Sequence, residues 1–104
     1  MTEKFGFVSF HLQEERAERV RMIETHVGWG EPMLEVQEEN IATILTTTGV
    51  VVIKDLRAKI VVTAYVPSPT HLLSIFMKAG KTSIPNEFYT ATRNAYRILN
   101  GLGL

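Results

Sequence analysis

The chain contains no cysteine among its 104 residues. Disulfide bonds, thiolate nucleophiles and thiolate metal sites are therefore excluded. No apolar run approaches the roughly 18 residues that would cross a bilayer, and the amino terminus shows no basic leader followed by a long apolar segment. These absences predict an intracellular, cytoplasmic protein with no membrane partner.

Motifs that bind phosphates or metals are also missing. The seven glycines lack the spacing of a phosphate-binding loop. The three histidines, His11, His26 and His71, are 15 and 45 residues apart, so no pair has the spacing of metal ligands on one helix. We therefore expect no metal and no cofactor.

The formal net charge is zero, but the two halves of the chain differ in sign. Residues 1–49 contain nine acidic and four basic side chains, a net charge of −5, whereas residues 50–104 contain two acidic and seven basic ones, a net charge of +5. Neutralisation within one fold, self-association and a basic face for an anionic ligand are each consistent with this pattern. We expect a homo-oligomer or a complex with a protein partner.

The length is that of one domain, and the periodicity of apolar residues predicts an α+β fold. A helix is expected at residues 10–25, with a loop around Gly28 and Gly30. Runs of strand type follow at residues 34–37, 41–48, 50–54 and 60–66, joined by short polar turns that favour an antiparallel meander. Ser68 and Pro69 then open a helix that ends at Gly80, and Pro85 opens a last helix that ends near residue 100.

Apolar content indicates which parts should be buried. The third and fourth strands are the most apolar and are expected at the centre of the sheet. Met22, Met33 and Met77 are interpreted as core residues. The last helix is expected to bury one stripe of side chains: Phe88, Ala91, Ala95, Ile98 and Leu99.

Three groups of residues carry a family resemblance: His11-x4-Arg16-x2-Arg19 on the first helix, residues 48–53 entering the third strand, and residues 61–65 on the fourth. With a helix followed by a four-stranded antiparallel sheet, residues 10–66 resemble the barnase–EndoU–colicin–RelE class of small ribonucleases. The resemblance implies metal-independent RNA cleavage by the neighbouring 2′-hydroxyl. His11 would be the general acid or base, Arg16 or Lys54 would stabilise the phosphate, and Thr63 or Tyr65 would bind a phosphate oxygen or relay a proton.

Whether these groups converge depends on the register of the third and fourth strands. Thr63 and Tyr65 share one face of their strand, and a shift of one residue decides whether Lys54 joins them. The hydrophobic pattern does not choose between registers. Our expectation leans slightly toward Arg16 near the Thr63 and Tyr65 face, and against a complete set of His11, Lys54 and Thr63.

Two further groups are binding candidates. Trp29 lies between two glycines, where it either contacts a ligand or closes one end of the core. The other group follows the polar side of the last helix and suits RNA, a protein surface or plain solvation: Tyr89, Arg93, Tyr96 and Arg97. The sequence thus favours a small interaction protein without demonstrated catalysis. A toxin-like endoribonuclease and a small-ligand binding domain are the alternatives.

Overall fold

The computed structural model describes residues 14–102, and side chains from residue 18 onwards. Three helices and four strands follow one another along this part of the chain. In order they are α1 (Glu14–His26), β1 (Pro32–Glu38), β2 (Ile41–Thr46), β3 (Val51–Asp55), β4 (Ile60–Tyr65), α2 (Pro69–Lys78) and α3 (Asn86–Gly101). The predicted α+β layout, an N-terminal helix, an antiparallel sheet and two C-terminal helices, is confirmed.

The four strands form one antiparallel sheet in the order β1-β2-β3-β4. The predicted meander is therefore confirmed, and β3 and β4 are neighbours. The expectation that β4 is a central strand was wrong, because β2 and β3 occupy the centre and β4 lies at one edge. The apolar residues of β4 are buried by α1, which packs on this strand: Val61 is 1% exposed and Ala64 is fully buried.

Both faces of the sheet are covered. On one face, Val20 and Ile23 of α1 pack against inner-strand side chains such as Ile44 and Val52. On the other face, Leu72 and Ile75 of α2 pack in a core that includes Leu45, together with Val51 and Phe76. The inner strands read as nearly continuous apolar runs because alternate side chains enter two different cores.

The helix α2 begins and ends where its capping residues predict. The Ser68 side chain accepts a hydrogen bond from the His71 amide at 3.2 Å, and Pro69 occupies the first turn, where no amide is needed. At the other end Gly80 adopts a φ of +80°, and the Lys81 amide donates to the Phe76 carbonyl at 2.9 Å.

The helix α3 contributes to both cores. Phe88 packs against Phe76 edge to face at 5.4 Å on the α2 side, and Ala95 lies in the core on the α1 side. The buried stripe differs from the prediction at two positions, since Thr92 is buried and Ile98 is 41% exposed. Thr92 satisfies its hydroxyl by donating to the Tyr89 carbonyl at 3.0 Å, so burial leaves no orphaned group.

The β2–β3 turn touches the backbone of α3. Gly49 has a φ of +83°, and a Cβ at this position would lie 2.7 Å from the Thr92 nitrogen and 2.8 Å from the Ala91 carbonyl carbon. The turn is closed by the Gly49 amide, which donates to the Thr46 carbonyl at 3.0 Å. Position 49 therefore requires glycine for both conformation and space.

Two methionines predicted for the core are exposed. Met33 is 53% exposed on the edge strand β1, and Met77 is 64% exposed on α2. Met77 lies outside the α2 stripe formed by Leu72, Ile75 and Phe76, so the helix period places it away from the sheet. The core prediction was wrong for both methionines, because position on an edge strand or on the outer side of a helix decides their burial, and not their apolar character.

We expect Gly49→Ala to lower the free energy of unfolding by about 2–4 kcal/mol, because it combines an unfavourable φ with overlap against α3 backbone. The matched control is Gly80→Ala, which has a similar φ of +80° but no atom within 4 Å of the added Cβ. The control should cost about 1 kcal/mol. Urea unfolding followed by circular dichroism measures both. Equal losses in the two variants would show that α3 does not press on the turn.

Candidate functional site

A groove lies between α2 and the part of the sheet that α2 leaves open. Near the β2–β3 turn the sheet face is fully covered, whereas Thr43, Ile53 and Thr63 in the next row are only half-buried. The cavity here has a volume of about 80 Å³. Strand residues Val36, Ile41, Thr43 and Tyr65, the strand-end residue Glu38, and the α2 residues His71, Ser74, Ile75 and Lys78 line it, and we call this set the groove.

Tyr65 and His71 are hydrogen-bonded at one end of the groove. Tyr65 pairs with Val51, so its ring lies on the α2 side of the sheet, and its hydroxyl is 2.5 Å from the His71 Nε2. The tautomer of His71 decides which of the two atoms donates. Burial raises the pKa of the Tyr65 hydroxyl, so this group is neutral at physiological pH and retains its proton for donation.

A salt bridge marks the opposite end. The Lys78 Nζ lies 3.5 Å from the Glu38 Oε1, and both side chains are more than half exposed. An exposed pair of this kind contributes at most about 1 kcal/mol to stability. Its effect is to connect the last turn of α2 to the end of β1, and to place one cation and one anion beside an apolar floor.

The structure separates the residues of the predicted phosphate site. Ile53 pairs with Thr63, but the next residue, Lys54, pairs with Val61, so Val62 is an extra residue in β4. Thr63 therefore shares a sheet face with Ile53, whereas Lys54 alternates to the α1 face.

Lys54 has its own surroundings on the α1 face. It pairs with the buried Ala42 of β2. Burial lowers the pKa of Lys54, and the negative charge of Glu35 partly offsets that effect. Lys54 and the pair Thr63 and Tyr65 thus do not converge on one phosphate. His11 and the side chain of Arg16 lie outside the described part of the chain.

Trp29 is a core residue. Its side chain is 8% exposed, packs in the α1-side core, and donates its indole N–H to Glu24 Oε2 at 2.9 Å. Of the two alternatives for this tryptophan, the structure favours closure of the core over an open binding position. The hydrogen bond satisfies the one polar group that burial would otherwise strand.

The four candidates on α3 do not form one polar face. Tyr89 is half-buried and packs against the α2-side core, and Tyr96 donates its hydroxyl to the Val66 carbonyl at 3.0 Å. Arg93 and Arg97 are exposed. The tyrosines therefore serve packing and backbone hydrogen bonding, while the arginines are accessible to solvent.

Sequence reasoning missed the α2 wall of the groove. His71 was weighed only as a metal ligand, and Ser74 and Lys78 were not singled out. The signal that would have found them is their spacing of three and four residues, which places all three on one side of a helix. That side adjoins the apolar stripe and therefore meets the sheet at the border of the core.

Neither a membrane-spanning helix nor a metal site is found among the described residues. No helix within residues 14–102 has both the length and the apolarity to cross a membrane. Among the described side chains, no three acidic or histidine residues lie close enough to share a metal ion.

The chain matches no protein-family model, no curated protein and no solved structure. The ribonuclease-like relationship therefore stays a prediction.

Urea unfolding at alkaline pH tests whether the Tyr65 hydroxyl is buried. Because burial raises the pKa of Tyr65 above that in the unfolded chain, which is about 10, its contribution is complete below pH 10 and declines as pH rises above that value. We expect urea midpoints of the wild type to fall more steeply above pH 10 than those of Tyr65→Phe. Tyr89→Phe, which removes a phenol elsewhere, is the control. Parallel curves for wild type and Tyr65→Phe would contradict the expected burial.

Proposed function

We propose that this protein is a small intracellular interaction protein that works by association rather than by catalysis, and that α2 carries its interaction surface. The observation that carries the proposal is an exposed apolar ridge beside the groove. Leu73 is 42% exposed and Met77 is 64% exposed, one helical turn apart. A shallow depression along this ridge shares Ser74 and Lys78 with the groove, so the two features are continuous.

The size of the groove supports a protein ligand over a small molecule. Pockets for drug-sized ligands have volumes of about 300–1,000 Å³, whereas the groove has about 80 Å³. This volume has room for one side chain. The apolar floor with Thr43, Ser74 and His71 at its border resembles the small anchor pockets of protein interfaces, which combine an apolar centre with a polar rim.

A second copy of the chain is the occupant we propose. Under two-fold symmetry the same surface faces itself, and a ridge beside a hole is self-complementary. Met77 of each subunit would lie in the other subunit's groove, and an unbranched, flexible methionine side chain suits an irregular pocket. The formal net charge of zero means that two copies do not repel each other overall.

Charge complementarity supports the same arrangement. Lys78 and Glu38 lie together at one end of the groove. With a two-fold axis near Met77, Lys78 of each subunit would lie close to Glu38 of the other subunit. One short helix and a groove cover less than the roughly 800 Å² per partner of a standard interface. We therefore expect a reversible dimer with a dissociation constant in the micromolar range.

Analytical ultracentrifugation tests the dimer. We expect the wild type to pass from monomer to dimer between about 1 and 500 µM, in keeping with a small interface. Met77→Asp should remain monomeric throughout, because it places a charge in an apolar contact. The matched control is Leu102→Asp, an exposed apolar position immediately after the last helix, which should dimerise like the wild type. A wild type that stays monomeric at 500 µM, or a Met77→Asp variant that still dimerises, would overturn the proposal.

One observation favours metal-independent RNA cleavage as a second candidate. The hydrogen bond between Tyr65 and His71 joins a neutral phenol to an imidazole, a group that can donate or accept a proton in catalysis. Thr63 lies on the same sheet face. In this version His71 takes the role that the resemblance assigned to His11.

Incubation with a fluorescent RNA in excess EDTA separates the two candidates. Under the association proposal we expect no cleavage above the level of a mock purification. Cleavage that disappears in both His71→Ala and Thr63→Ala, while circular dichroism shows an intact fold, would establish the nuclease instead. Ser83→Ala, at an exposed position between α2 and α3, is the control variant, and it should give the same RNA cleavage as the wild type.

A further inference from the structure

A second cavity lies between α1 and α3, beyond the end of β4. Its volume is about 220 Å³. We call it the α1–α3 cleft. Apart from Tyr65, which also borders the groove, it is lined by Arg19, Ile23, Val66, Tyr96, Leu99 and Asn100. None of the functions argued above uses this cleft.

The floor of the cleft is apolar and belongs to the α1-side core. Ile23 is fully buried and Val66 is 9% exposed, and Leu99 packs against the same core. Tyr96 closes one wall, where its hydroxyl is held by the Val66 carbonyl at 3.0 Å. The floor is therefore part of the packed core, and it offers an apolar surface to the apolar part of a ligand.

The polar groups of the cleft lie at its rim. Arg19 is exposed on α1 and Asn100 is exposed on α3, so the two elements each supply a hydrogen-bond donor on opposite sides of the opening. Among the described side chains that line the cleft, Arg19 is the only cation and none is a carboxylate. A guanidinium offers two parallel N–H donors, which match the two oxygens of a carboxylate.

We propose that the α1–α3 cleft binds a small carboxylic acid with an apolar body, its carboxylate on Arg19 and its body on the Ile23, Val66 and Leu99 floor. A single cation matches a single negative charge, whereas a phosphate dianion would need more positive charge than the described lining residues hold. The volume is below the range of about 300–1,000 Å³ for drug-sized ligands, which limits the ligand to about twelve non-hydrogen atoms.

The proposal is independent of the dimer and of RNA cleavage, because it uses different residues. A twelve-atom ligand at ordinary ligand efficiency should bind with a dissociation constant of about 1 mM. The probe is 4-phenylbutyrate, and its uncharged amide is the matched ligand that differs only in the carboxylate. Titration followed by ¹H–¹⁵N correlation spectra reports both the affinity and the location of binding.

We expect 4-phenylbutyrate to shift the backbone N–H signals of Arg19, Ile23 and Leu99. The uncharged amide of this ligand should bind at least about tenfold more weakly. Arg19→Gln should weaken the acid about tenfold and leave the affinity for the amide unchanged. Arg21→Gln, an exposed arginine on the same helix outside the cleft, is the matched control and should bind the acid like the wild type.

Three results would overturn the proposal. The first is equal binding of the acid and its uncharged amide, and the second is an Arg19→Gln variant that binds the acid as the wild type does. The third is that the shifts are confined to residues outside the cleft, or are absent at about 20 mM probe, well above the expected dissociation constant. Since Arg19 is exposed, the variant should fold, and its circular dichroism spectrum checks this. Asn100→Ala gives a second measure of the rim and should weaken the acid by a smaller factor.

Discussion

Gly49 lies so close to the backbone of α3 that a side chain at this position would overlap it. Because no side chain separates the β2–β3 turn from the Thr92 and Ala91 backbone, α3 can cross the end of the sheet and enter both cores. Phe88 then closes the α2-side core and Ala95 closes the α1-side core. With 104 residues a chain has little apolar area to bury, and here one helix supplies side chains to both cores.

Much of the architecture could be predicted from local patterns. Ser68 with Pro69 and Gly80 determine the limits of α2 through capping, which acts within one turn and is therefore visible in sequence. The change from a period near 3.6 to a period of two separated helix from sheet. The order of the meander followed from turns too short for crossover connections.

The features that sequence could not predict depend on contacts between distant segments. The extra residue Val62 in β4 decides that Lys54 lies on the α1 face. The residues of β3 before Lys54 are all apolar, so their pattern does not indicate a register. The edge position of β4 was hidden because α1 buries its apolar side chains. The α1–α3 cleft likewise brings together Arg19 and Asn100, which are far apart in the chain.

Tyr65 stands between the two cavities and lines both of them. A ligand in the cleft that displaces Tyr65 would change the position of the hydroxyl beside His71 in the groove. Any such effect would be reciprocal, since a coupling free energy between two sites is the same in both directions.

The division of strands between the centre and the edges has a consequence for aggregation. Residues 41–53 contain no charged side chain and are rich in threonine, isoleucine and valine, the composition of segments that stack into fibrils. In the folded chain this stretch forms β2, β3 and the turn between them, so its backbone is paired on both sides. Glu38 and Glu39 precede it and Lys54 and Asp55 follow it, and flanking charges of this kind oppose stacking when the chain opens. Strand pairing therefore protects this segment in the folded chain, and the flanking charges protect it when the chain is unfolded.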